Sequence, residues 1–267
     1  MKKKVLFTAT VLLLVAAFGV SAFMVGSYLL EGKKQDEKYD QLAEMVANAQ
    51  TDPTGSTDAT DVTVDRTVQV KDEDGMLVCY KEIYEMNNDT VGWLKMEGTE
   101  IDYPVMQTPD DPEYYLYRDF DGEESSRGCI FAWGEADINA PSDNITLFGH
   151  NMADGSMFAS LNAYTDKSAW DENSLIFFDT LTDFHTYKIF AVFRTTATLG
   201  KGFSYHKFVD AEDEEAFDEF VATCKELAYY DTGITPVYGD KLICLSTCEY
   251  THPLQNGRLV VAAVRIT

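Results

Sequence analysis

Hydrophobic and polar positions divide the chain into stretches of different period. An uncharged, mostly apolar run covers residues 5–30, directly after Lys2, Lys3 and Lys4. At about 26 residues it would be roughly 39 Å long as a helix, enough to cross a bilayer. Residues 33–50 are polar, with Tyr39, Leu42, Met45 and Val46 at helical spacing, which predicts a short stalk helix. Residues 51–60 are small, polar and rich in turn formers, and read as a linker. Three regions follow: a short cytoplasmic segment with a transmembrane signal-anchor at 1–30, a stalk helix and flexible linker at 31–70, and a folded domain at 71–267.

Inside that domain the period shortens. Leu77, Tyr80, Ile83 and Tyr84 share one helical face and predict a helix over 76–86. Short apolar runs at 91–96, 101–106, 129–133, 145–148, 175–178, 186–194, 241–247 and 259–266 predict eight strands. Glu97-Gly98-Thr99 suits a hairpin turn, and Pro104 predicts an edge strand. One amphipathic insertion, at 210–227, predicts a helix capped by Asp210. Its first turn carries Glu212, Asp213, Glu214 and Glu215, and its apolar stripe holds Phe217, Phe220, Val221, Cys224 and Leu227. The expected fold is mainly β, an eight-stranded closed barrel with peripheral helices, preceded by a transmembrane helix.

Charge narrows the partners. The 45 acidic residues outnumber the 21 basic ones, for a net charge of -24. Such a surface repels phosphate backbones and excludes nucleic acid as a partner. Lysines before the apolar run and acid-rich sequence after it predict an N-in, C-out orientation, with the domain extracytoplasmic. Val20-Ser21-Ala22 resembles a signal-peptidase site, but the apolar run continues to Leu30, which favours an uncleaved anchor. Five cysteines stand at 79, 129, 224, 244 and 248. No CxxC pair occurs, so neither a zinc ribbon nor a thioredoxin motif is indicated, and the odd number leaves at least one thiol free.

A free thiol outside the cell invites a chemical reading. Three polar groups sit at strand ends. The run 145–148 stops at Gly149-His150, the run 242–247 stops at Cys248, and Arg258 opens the last strand. Singly, each reads as a hydrogen-bonding histidine, a core cysteine and a surface charge. Together they fit acyl transfer, which needs a nucleophile, a proton carrier and an oxyanion donor. His252 is the second choice for the proton carrier. His150 lacks companion ligands at HxH or HxxxH spacing, so no metal is expected.

At these residues the chain resembles the sortases, class B in particular. The carrying segments are Leu245-Ser-Thr-Cys248, Gly149-His150-Asn-Met and Gly257-Arg258-Leu-Val-Val. Upstream, Val91-Gly-Trp-Leu-Lys, Ile101-Asp-Tyr-Pro-Val and Tyr115-Leu-Tyr-Arg-Asp-Phe-Asp-Gly add to the likeness, as does the helix at 210–227. The resemblance covers roughly residues 75–267 and implies a sortase-type β-barrel. It implies that Cys248 attacks the carbonyl after threonine in the sorting signal of another surface protein, a signal similar to Asn-Pro-x-Thr-Asn/Gly. His150 then serves as acid and base, and Arg258 holds the oxyanion. The implied thioester is resolved by an amine of the peptidoglycan cross-bridge, and no cofactor is implied. Ser246, Thr247 and Glu249 are expected to line the substrate groove. Alternative readings are a cell-wall cysteine amidase or endopeptidase, whose usual Cys-before-His order this chain reverses, and a non-enzymatic surface or pilus module.

Overall fold

A computed structural model describes residues 2–50, 69–198, 200–250 and 256–267. The expected linker at 51–60, and His252, lie outside the described residues. The chain divides into two compact units, Met1–Gln41 and Leu42–Thr267. Helix α1 runs without a break over Lys2–Gln50, so the apolar run and the polar stretch after it form one helix, about 74 Å long. It is long and apolar enough to cross a membrane, and Leu12, Leu13, Phe18, Phe23 and Leu29 stay exposed along it.

The second unit is built on eight strands: β1 (Thr90–Lys95), β2 (Asp102–Met106), β3 (Ile130–Ala132), β4 (Asn144–Phe148), β5 (Leu175–Thr180), β6 (Thr186–Thr196), β7 (Leu242–Cys248) and β8 (Gly257–Arg265). They close in the order β1-β2-β3-β4-β7-β8-β6-β5. Closure removes every sheet edge. Pro104 therefore does not mark an edge strand. It pairs with Trp93 of β1, and the parallel partner β3 joins β2 only from Val105 onward. The missing proline N–H thus costs the β2–β3 ladder nothing.

Helix α2 (Val78–Met86) starts two residues later than the sequence pattern predicts. Helix α3 (Lys167–Glu172) buries no residue and left no apolar period to read; Asp166 caps it by accepting from Ser168 N. Helix α4 (Glu214–Leu227) starts four residues after the expected point. Its cap is Asp213, whose carboxylate accepts from Ala216 N, while Asp210 accepts from Asp143 N at 3.1 Å. Phe217, Phe220, Val221 and Cys224 of α4 form one core cluster with Phe193, Cys244, Val260 and Ala262 of the sheet. A helix cannot lie inside so small a barrel, so these strand residues mark its outer face.

Candidate functional site

That outer face explains how three distant residues meet. Strand side chains alternate between faces, and residues directly opposite on paired strands share a face. Phe148 of β4 stands opposite Ser246 of β7, and Ser246 stands opposite Val260 of β8. Val260 faces outward, so Ser246 and Phe148 do too. Two residues further along each strand, the same parity selects Cys248 and Arg258, which are register partners. Continuing past the end of β4 by the same step reaches His150. The three groups therefore meet on the outside of one wall of the barrel, β4–β7–β8, rather than around its mouth.

Hydrogen bonds lock this register beyond the strand ends. Gly149 N donates to Ser246 O at 3.2 Å, and Thr247 Oγ1 donates to Gly149 O at 2.8 Å. Asn151 Nδ2 donates to Cys248 O at 2.7 Å. His150 is thus bracketed on both sides by bonds to the strand that carries Cys248. Gly149 is required here. A Cβ at this position would lie 2.5 Å from Ile130 Cδ1 and 2.8 Å from the Phe158 ring. On the other side of β7, Glu249 N donates to Gly257 O at 3.0 Å, and Arg258 donates to the same carbonyl at 3.1 Å. The backbone N–H that follows Cys248 is therefore engaged in the β7–β8 ladder.

A cavity of about 350 Å³ opens over these residues, lined among others by His150, Ser246, Thr247, Cys248 and Arg258. One wall is the 3₁₀ turn Tyr114–Tyr117, where Leu116 O lies 2.8 Å from His150 Nε2 and the Tyr117 ring sits 5.4 Å from the imidazole. A further part of the lining is the β6–α4 connection. Its Tyr205 hydroxyl shares a 2.5 Å hydrogen bond with Ser246 Oγ. Burial pushes Tyr205 up to about 12, so it stays a neutral hydroxyl. Next to it, His206 packs edge-on against Trp133, with ring centroids 5.3 Å apart. Burial, and then the charges of Lys207 and Arg258, hold His206 below the usual histidine range, so it is neutral near pH 7.

The five cysteines differ sharply. All are free thiols, and Cys79, Cys129, Cys224 and Cys244 are buried while Cys248 is partly exposed. Burial pushes the thiols of Cys224 and Cys244 well up and keeps them protonated.

Of the six expected site residues, His150, Cys248, Arg258, Ser246 and Thr247 share the cavity. Glu249 does not line it. Its side chain is 1% exposed and points to the Arg194 guanidinium of β6, 3.3 Å away. Parity again gives the reason, because the residue after Cys248 turns to the other face. Sequence reasoning missed Leu116, Tyr205, His206 and Trp133. Leu116, Tyr205 and His206 come from turns and connections without apolar period, Trp133 ends an expected strand run that says nothing of a cavity, and a main-chain carbonyl leaves no signature in a sequence. Asn151 was visible inside the histidine motif, but nothing in that motif tells that its amide reaches Cys248.

A sortase domain model matches residues 94–266. The sortase B of Listeria monocytogenes is 30% identical over 187 residues, which cover 70% of this chain and 74% of that protein. The chain belongs to the sortase family, class B. The sortase B of Staphylococcus aureus is 23% identical over 98% of each chain. Among solved structures, the S. aureus sortase B–substrate complex superposes with a TM-score of 0.74 at 24% identity, covering 89% of this chain and 99% of that one. Sortase B of Bacillus anthracis in complex with AAEK1 gives 0.71 at 26%, covering 90% and 99%. As a class B sortase the protein is a cysteine transpeptidase of cell-wall protein sorting, associated with the cell surface.

Proposed function

We propose that this sortase is anchored by residues 1–30, carries its catalytic domain at 71–267 outside the cell on the 31–70 stalk and linker, and cuts sorting signals after threonine. The signal is of the Asn-Pro-x-Thr-Asn/Gly kind. Cys248 Sγ attacks the threonine carbonyl carbon, and Arg258 donates to the oxyanion that forms. The C–N bond breaks, His150 protonates the leaving amine, and a Cys248 thioester remains. An amine of a peptidoglycan cross-bridge attacks the thioester, gives its proton to His150, and expels the Cys248 thiolate as the new amide forms. Atoms balance over the two steps, and no cofactor takes part. Ser246 and Thr247 flank the substrate, while Glu249 acts through the fold.

The observation that carries this reading is the direct register of Cys248 with Arg258, with His150 in the same cavity. The bare apolar side chains along α1 and the lysines before them support the anchor. The test is peptide cleavage by the full chain in detergent, with a panel of Asn-Pro-x-Thr-Asn/Gly peptides and an added amine. Cleavage after threonine and amine incorporation, both abolished in Cys248→Ala, are expected. Cleavage that persists in Cys248→Ala refutes the assignment.

A further inference from the structure

A histidine that moves protons in acyl transfer needs one ring nitrogen held so that the other is free to act. A carboxylate often does the holding. Here the ring of His150 has one hydrogen-bond partner among the described residues, the main-chain carbonyl of Leu116, 2.8 Å from Nε2. A carbonyl can only accept, so Nε2 must carry a proton whenever this bond is made. The structure assigns Leu116 as the positioning residue of His150, and with it Nδ1 as the ring atom that exchanges the proton in transpeptidation.

The carbonyl is itself held in place. It belongs to the 3₁₀ turn Tyr114–Tyr117. The carbonyls on either side of it are occupied, since Tyr115 O accepts from Cys129 N and Tyr117 O accepts from Ser125 N, each at 3.0 Å. Leu116 O is left for the histidine. This arrangement depends on Gly128. At φ +59 it sits so close that a Cβ would lie 2.4 Å from Leu116 O and 2.6 Å from Tyr115 O. Only glycine fits both the backbone angle and the space. The Tyr117 ring, 5.4 Å from the imidazole, limits its swing. Gly128, Leu116 and His150 thus form a chain of positions ending at the ring nitrogen.

A fixed Nε2–H serves both halves of the reaction. In the imidazolium form the Nδ1 proton is the one released to the leaving amine, because Nε2–H stays with Leu116. In the neutral form Nδ1 carries the lone pair that accepts the proton of the attacking amine. The ring need not flip between steps.

The inference rests on His150 being the proton carrier, and two measurements separate the claims. Nitrogen-15 NMR of the full chain in detergent, labelled in the histidine rings and assigned with His150→Ala, reads the tautomer at a pH where the ring is neutral. A single Nε2–H form is expected; an Nδ1–H form, or the averaged signal of a free imidazole, overturns the inference. The second measurement is Gly128→Ala, which is expected to lose the tautomer preference and to lower kcat about 100-fold, the cost of misplacing a reacting group by about 1 Å. An unchanged tautomer and kcat in that variant would remove Gly128 and Leu116 from the argument. Full activity in His150→Ala would instead sink the catalytic reading, whatever the tautomer.

Discussion

Replacing Glu249 with alanine separates two roles for the residue after Cys248. Its carboxylate is buried and paired with Arg194, whose side chain is 18% exposed and whose guanidinium also lies over the Tyr229 ring at 5.3 Å. Removing one partner of a buried pair leaves the charge of the other less compensated, at a cost of about 3–5 kcal/mol. Arg194 keeps some access to water, so the lower end, about 3 kcal/mol, is expected. A domain of this size loses about 2–4 °C of Tm per kcal/mol, which gives a drop of roughly 6–12 °C. Glu249→Ala combined with Arg194→Met removes both charges and should recover most of the loss. The assay is thermal unfolding of the single and double variants, run beside KM for a sorting-signal peptide. A structural carboxylate predicts a large Tm loss and a KM within about threefold of wild type below the transition. A Tm within 2 °C of wild type with a strongly raised KM would refute the parity argument that turns Glu249 away from the cavity.

Other perturbations give equally direct readouts. Arg258→Ala removes the proposed oxyanion donor and should lower kcat about 100- to 1000-fold, with little change in Tm because the side chain is only half-buried; Arg258→Lys should recover part of it, without the planar fork. Native alkylation followed by peptide mapping should label Cys248 well before Cys224 and Cys244, whose thiols burial keeps protonated. Gly149→Ala forces a methyl against Ile130 and Phe158 and should cost about 1–3 kcal/mol in urea unfolding while also lowering kcat. In Asp183 the hydrogen bond from Lys71 holds the carboxyl below the usual range, and in Asp143 the bonds from Ala211 N and Lys241 outweigh a burial effect that pushes the other way. A depressed folded pKa adds stability above the unfolded value near 3.9, and that stability is lost as pH falls through the lower folded value. The urea midpoint should therefore hold from pH 7 to about 5 and drop below about 4; Asp183→Asn should blunt the drop.

The barrel was legible because its strands, antiparallel and parallel alike, are short apolar runs bounded by polar turns, and β4, β7 and β8 are buried almost throughout. Each of the eight expected runs became a strand, most with ends shifted by one or two residues. The limits of that signal show at Pro104. A proline says only that one N–H is missing, and whether a neighbouring strand needs that N–H depends on how far the neighbour extends. Asp210 and Asp213 both suit a helix cap, and choosing between them required knowing that Asp143 claims Asp210. The site divides the same way. Cys248, His150 and Arg258 stand at strand ends and inside recognisable motifs. Glu249 stands beside Cys248 in sequence yet faces Arg194, since a strand turns each successive side chain to the opposite face. Leu116, Tyr205 and His206 reach the cavity from loops, where no period places a residue in space.

The most direct test of the account is the covalent intermediate itself. The full chain in detergent is mixed with an Asn-Pro-x-Thr-Asn/Gly peptide without added amine, and intact and tryptic masses are read by mass spectrometry. The account predicts one acyl adduct, ending in threonine and mapped to Cys248, which discharges when an amine acceptor is added. An adduct on another residue, or peptide cleavage by the Cys248→Ala protein, would contradict it.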